Sequence, residues 1–94
     1  MSKGYQIRRT SQFKKDLKRL LKQGKDLKKM QVVVDALAAG RKLDPVYLDH
    51  PLGGTWKGFR DCHIESDRVL LYKQDRQVLV LTLSRSGSHA ELEL

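Results

Sequence analysis

TWKGFRDCHIESDRVLLYKQDRQVLVLTLSR, residues 55–85, is the stretch in which the spacing of apolar residues changes from helical to alternating. Thr55 to Ile64 reads as one strand, Arg68 to Lys73 as a second and Gln77 to Arg85 as a third. Ser66-Asp67 and Gln74-Asp75-Arg76 supply compact turns, so the three strands are expected to form an antiparallel meander. Val78-Leu79-Val80-Leu81 is apolar on both faces, as in a central strand covered by helices. In the first strand a period of two places Lys57, Phe59, Asp61 and His63 on one face. Trp56, Gly58, Arg60, Cys62 and Ile64 share the other, and Trp56, Cys62 and Ile64 mark it as the core side. Asp61 and His63 are thus expected together on the open face of the sheet.

Upstream of Pro45 the period is helical. Tyr5-Gln6-Ile7-Arg8 alternates as a short first strand, and Thr10 or Ser11 can cap a helix after it. Phe13, Leu17, Leu20 and Leu21 form one apolar stripe, and Gly24 ends that helix. Asp26 then caps a second helix that buries Leu27, Met30, Val34, Leu37 and Ala38 and ends at Gly40. The order is β-α-α-β-β-β. The expected class is α+β: one domain over residues 1–94, with a two-helix hairpin packed on one face of a twisted antiparallel sheet. A chain of this length can bury a single thin core without metals or disulfides. Its one cysteine, Cys62, forms no intrachain disulfide and reads as packing on the core side. The N-terminus has no apolar leader, and no run is long enough to span a bilayer, so a cytoplasmic protein that does not enter a membrane is expected.

The net charge is +8, and it is unevenly placed. Residues 1–29 hold eleven Lys and Arg against two acids, whereas residues 30–94 hold eight against nine. Lys14, Lys15, Lys18, Arg19 and Lys22 make a cationic ridge on the outer face of the first helix, with nothing in the sequence nearby to neutralise it. Such a one-sided field suits a polyanion.

All three histidines lie beyond the basic helices: His50 before a turn, His63 on a strand and His89 after the last strand. Arg85 and His89 flank Ser86-Gly87-Ser88, so two distant segments could bring histidines, carboxylates and an arginine to one concavity. Cleaving RNA without a metal needs a base for the 2′-OH proton, an acid for the 5′-oxygen and cations for the charge that develops on the phosphorane. Histidine serves as acid or base near neutrality, and arginine stabilises the developing charge. A zinc or manganese site built from His and Asp is the sharper rival, although His-x-x-His and Cys-x-x-Cys spacings are absent. Plainer roles also fit: Asp61 and His63 as a strand pair, Asp67 as a turn residue, and His50 as a loop residue held by its own hydrogen bonds.

The segments VYLDHPLGGTWKGFRDCHIESDRVLLYK and SRSGSHAEL resemble the YafQ-like toxins of the RelE superfamily. The resemblance runs through nearly the whole chain and implies a RelE-like, microbial-RNase-like fold. It implies a bacterial cytoplasmic endoribonuclease, the toxin of a type II toxin–antitoxin system. Such an enzyme enters the A site of the 70S ribosome and cuts mRNA by 2′-OH attack, with no metal and no cofactor. It further implies a cognate antitoxin partner, with the toxin monomeric when free and hetero-oligomeric when bound. By the same resemblance His89 is the general acid. Asp67, His50 and His63 share proton acceptance and positioning of the mRNA, Asp61 orients His63 or Arg60, and Arg85 faces the scissile phosphate. The ridge Lys14, Lys15, Lys18, Arg19 and Lys22, with Lys57 and Arg60, would hold ribosomal RNA through its phosphates. One departure stands out: the family usually has an aromatic where this chain has Glu93. A non-catalytic basic module that binds RNA or the ribosome is therefore the competing expectation, and a module for an acidic protein partner is a third.

Overall fold

The Thr10 side chain accepts a hydrogen bond from the Phe13 amide at 3.0 Å, and this cap starts the first helix, α1 (Ser11–Lys22). Immediately before it lies β1 (Gln6–Arg9). These elements belong to a computed structural model that describes residues 4–65 and 67–94. Phe13, Asp16 and Leu20 are the buried residues of α1. Leu21, expected on the same stripe, is exposed, because it lies about 80° around the helix axis from Phe13. The Asp26 carboxylate accepts from the Lys28 amide at 2.9 Å, but it lies one residue before the cap: α2 (Lys28–Ala38) has Leu27 as its N-cap, with no side-chain cap bond, instead of the expected Asp26, and it buries Met30, Val33, Val34 and Leu37.

The remaining elements are β2 (His50–Pro51), β3 (Arg60–Glu65), β4 (Arg68–Asp75), β5 (Val80–Gly87) and a short C-terminal helix, α3 (His89–Leu92). The strand order is β1-β5-β4-β3-β2, antiparallel from β2 through β5, with β1 parallel to β5. The α+β class with helices on a sheet is as the sequence suggested, but the sheet is mixed. Alternation along a strand defines its faces and carries no information on its neighbours. Cys62, Ile64, Leu70, Tyr72, Leu81 and Leu83 meet the helix residues Phe13, Leu20, Met30, Val33, Val34 and Leu37 in the main core. On the opposite face a smaller cluster of Val69, Leu71 and Leu92 is joined by Leu52 and Trp56.

Two strand expectations need correction. The strand expected from Thr55 begins only at Arg60, because Gly54–Trp56 forms a 3₁₀ turn. Gly54 and Gly58 take φ of 58° and 93°, which resets the alternation and sends Trp56 to the open face instead of the main core. The third strand begins at Val80 instead of Gln77. The Asp75 carboxylate accepts from the Gln77 and Val78 amides and turns the chain there, leaving Val78 exposed. The Ser66 half of the expected Ser66-Asp67 turn lies outside the described residues, and Asp67 is in a turn.

Because β1 ends at Arg9, opposite Leu83, no strand among the described residues pairs with the rest of β5 on that side. Side chains of α1 and its cap take the strand's place. Thr10 Oγ1 donates to the Ser84 carbonyl at 2.8 Å, and Arg19 Nη2 donates to the Ser86 carbonyl at 2.9 Å. Asp16, 2% exposed, accepts from the Ser86 amide at 3.0 Å, from Arg85 Nε at 2.8 Å and from Arg19 Nη1 at 2.8 Å. Burial alone would push the Asp16 carboxyl up. The hydrogen bonds from Arg85, the Ser86 amide and Arg19 outweigh that and hold it below the usual carboxylate range.

Replacing Asp16 by Asn keeps the volume but leaves two guanidinium groups facing an amide. At pH 7 the Asp16→Asn protein is expected to lose roughly 3 kcal/mol of unfolding free energy in urea. A folded pKa lowered by partners contributes stability that is complete above the unfolded value of about 3.9 and is lost as pH falls through the folded value. The gap between wild type and Asp16→Asn should therefore narrow as denaturation is repeated from pH 5 down to pH 3. A gap that stays constant would show that the charge of Asp16 does not contribute.

Candidate active site

Strand register builds the site as two cross-strand rows on the face away from α1 and α2. One row runs His50–Asp61–Leu71–Arg85 and the next His63–Val69–Gly87. Val69 and Leu71 are fully buried beneath Leu92 and Trp56 and give this face an apolar floor. His89 is the first residue of α3, half-buried, and not the exposed loop residue its position after the last strand suggests. Its helix starts with a reciprocal cap: Ser88 Oγ accepts from the Glu91 amide at 3.0 Å, and Glu91 Oε1 accepts from the Ser88 amide at 2.9 Å.

Asp61, His63 and His89 converge. One nitrogen or oxygen atom from each lies within 4.8 Å of the other two. The His63 and His89 rings are 5.1 Å apart between centroids, and His50 and His63 are 6.2 Å apart. His50 Nδ1 lies 2.7 Å from the Leu48 carbonyl. A carbonyl only accepts, so Nδ1 carries the hydrogen, and in the neutral ring Nε2 is left as a lone pair. That Nε2 faces Asp61 Oδ2 at 3.8 Å. Asp61 itself is 3% exposed, and its Oδ1 has no hydrogen-bond partner among the described residues.

The other expected residues fall in three groups. Arg85 is held by Asp16, yet also lines a groove on the open face with Thr55, Trp56, Leu92 and Glu93. Asp67 is exposed in the β3–β4 turn and stands outside the convergent trio; with Ser88 and Glu91 it lines a separate groove. Arg60 is not available in the way expected. It lies in register with Tyr72 on the helix side of the sheet, and its Nε and Nη2 each contact the Asp49 carboxylate at 3.2 Å. Tyr72 donates to the same carboxylate at 2.6 Å, so Asp61 does not orient Arg60.

Lys14, Lys15, Lys18 and Lys22 are exposed and form no ion pair among the described residues, as is Lys57. Arg19 departs from that ridge, because its guanidinium is taken up by Asp16, Glu91 and the Ser86 carbonyl. Sequence reasoning missed Asp16, Ser88 and Glu91. Each left a signal: Asp16 falls on the buried stripe of α1 between Phe13 and Leu20, and Ser88-His89-Ala90-Glu91 has the spacing of a capping box. An edge-to-face pair, Trp56 and Phe59 at 5.4 Å, with Lys73 Nζ 5.7 Å from the Phe59 ring, was likewise not foreseen.

Two chemistries are open to the trio. Two imidazoles and a carboxylate can hold and move protons, and the same three groups could ligate a transition metal, the mixed N,N,O set suiting zinc or copper. Cys62 takes no part in either, being fully buried on the core side.

Residues 5–94 match the model of a family described as the bacterial toxin of type II toxin–antitoxin systems, YafQ. The mRNA interferase toxin YafQ of Escherichia coli K12 is 40% identical over 87 residues, 92% of each chain. The E. coli DinJ–YafQ toxin–antitoxin complex superposes with a TM-score of 0.86 at 39% identity, covering 95% of this chain and 97% of that one. A metal-bound toxin from Helicobacter pylori gives a TM-score of 0.87 at 46% identity, with 94% and 98% covered.

Burial, with Asp49 and Asp61 nearby, pushes the Cys62 thiol up to about 12. Native protein at pH 8 should therefore resist a thiol reagent that modifies it at once in guanidinium. Fast modification of the native protein would place Cys62 outside the core.

Proposed function

The chain belongs to the YafQ family of bacterial type II toxin–antitoxin toxins, and on that premise we propose that it is an endoribonuclease that enters the ribosomal A site and cuts mRNA there without a metal ion. The observation that carries this reading is the convergence of Asp61, His63 and His89 on the open face, with His50 and Arg85 in the adjoining row. An antitoxin encoded with the toxin is its proposed controlling partner, and the free toxin is proposed to be monomeric and cytoplasmic.

The arrangement of the three rings supports one order of roles. In-line displacement at phosphorus puts the acid and the base on opposite sides of the phosphate, and the strand order puts β2, which carries His50, on one side of β3 and β5, which leads to His89, on the other. The neutral tautomer fixed by Leu48 leaves His50 Nε2 able to take the 2′-OH proton. The imidazolium so formed then faces the Asp61 carboxylate. His89 gives its proton to the departing 5′-oxygen, which leaves a 2′,3′-cyclic phosphate. His63, between the two, donates to a phosphate oxygen, and Arg85 adds charge at the groove edge. Asp67, in its exposed turn, positions the mRNA, as Lys57 does from the turn before β3. Lys14, Lys15, Lys18 and Lys22 contact ribosomal RNA phosphates, which fix position without reading sequence.

Glu93 favours a second reading. It stands in the groove beside Arg85, where an acid would compete with phosphate for the guanidinium. On that reading the protein binds ribosomes and cuts nothing.

Purified protein with programmed ribosomes separates the two. Cleavage should persist in EDTA and leave a cyclic or 3′-phosphate, and His89→Ala should lower the rate by at least about 10²-fold while retaining the native circular dichroism spectrum. Ribosome binding with no cleavage would support the second reading, and 5′-phosphate ends abolished by EDTA would point to metal-assisted hydrolysis. Removing two lysines (Lys14→Ala with Lys18→Ala) should raise the half-saturating ribosome concentration and flatten its dependence on salt by roughly one unit of slope for each lysine removed. The rate at saturation should stay as in wild type.

A further inference from the structure

Helix α1 has two chemically distinct faces. Its outer lysines are solvated, while Asp16 and Arg19 are bound into the segment that leads from Arg85 to His89. Arg19 Nη1 donates to Asp16 Oδ1 at 2.8 Å, and Nη2 donates to the Ser86 carbonyl at 2.9 Å. Arg19 Nε lies 3.0 Å from Glu91 Oε2, an ion-pair contact without hydrogen-bond alignment. Gln23 Nε2 donates to the same oxygen at 3.2 Å, and the other Glu91 oxygen caps Ser88. The guanidinium packs directly on the backbone between Arg85 and His89: a Cβ added at Gly87 would lie 2.6 Å from Arg19 Nη2.

That anchorage matters because α3 is only four residues long. A single turn does not hold itself in water, so the direction of His89 depends on what grips the turn from outside. Leu92 grips it from the apolar floor and Glu91 from α1. On the other side of Ser86, the same Asp16 carboxylate that holds Arg19 also holds Arg85.

We propose that Arg19 and Glu91, backed by Asp16, are positioning residues for catalysis: the chain Asp16–Arg19–Glu91 fixes α3 against the end of β5 so that His89 stays beside His63. The proposal rests on the reading of His89 as the general acid. It removes Arg19 from the set of cations that contact RNA, and the two roles move different kinetic constants. A phosphate contact changes the half-saturating ribosome concentration and the salt dependence. A positioning contact changes the rate at saturation, because even a displacement of about 1 Å can cost on the order of 10²-fold.

The test uses Arg19→Ala, Glu91→Ala and Glu91→Gln in the full chain. Asp16 is left intact because it is buried and its loss would destabilise the fold. Both alanine variants should lower the saturating cleavage rate by about 10- to 100-fold with the half-saturating concentration unchanged within about twofold. Glu91→Gln keeps the side-chain shape but one acceptor oxygen in place of two, so it can serve the Ser88 amide or Arg19 and not both; it should recover only part of the rate. Proton NMR of the free protein gives a readout independent of activity: the nuclear Overhauser effect between the His63 and His89 rings should be present in wild type, weaker in Glu91→Gln and absent from both alanine variants. Wild-type turnover in the alanine variants, a defect confined to half-saturation, or an undiminished Overhauser effect would each overturn the proposal. A wild type that cuts no mRNA would instead overturn the catalytic reading, and the Overhauser effect would still decide whether Arg19 and Glu91 anchor His89.

Discussion

The free edge of β5 past the end of β1 is the constraint on which the rest of the molecule turns. An unpaired strand edge beside a helix leaves amides and carbonyls that need partners. Here they find them in Thr10, Asp16 and Arg19, all from α1 and its cap. Asp16 answers the Ser86 amide and accepts from two arginines at once, which is why a carboxylate can sit in the interior at all. The same bonds fix where Arg85 points and where the chain leaves the sheet for His89. Fold and site thus share Asp16, the most buried charged group among the described residues, and a lysine-rich helix that looks like a solvated surface element anchors the segment that carries Arg85 and His89.

How much of this is legible in the sequence follows from what local pattern encodes. Both helices, the cap at Thr10, the two-face division of β3 and the pairing of Asp61 with His63 on the open side can be read, since each depends on residues a few positions apart. Alternation puts Trp56 on the wrong face because Gly54 and Gly58 interrupt it, and a period carries no signal once the backbone turns. Arg60 looks like a free cation in the sequence because its partner Asp49 lies 11 positions away, and Arg19 because Glu91 and the Ser86 carbonyl lie 72 and 67 positions away; its third partner, Asp16, is only three residues before it and is open to reading. Charge pattern shows which side chains could meet a polyanion, and only tertiary contact shows which of them are already occupied. The capping box at Ser88 and Glu91 is the opposite case: its spacing is local and open to reading, and it marks His89 as the start of a helix.

The trio of Asp61, His63 and His89 brings proton transfer and metal ligation into direct competition. A histidine gives a proton only from a nitrogen that carries one, and it ligates a metal only through a nitrogen that does not. With one atom from each residue inside a 4.8 Å span, an ion held by all three would occupy the His89 atom that faces the site. That nitrogen could then protonate no leaving group. A transition metal that fits this set would therefore act on the proposed acid–base reaction as an inhibitor. His50 is differently placed: its Nδ1 is tied to Leu48 and its Nε2 faces Asp61 from outside the trio, so occupancy of the metal position would leave the proposed base intact while removing the acid.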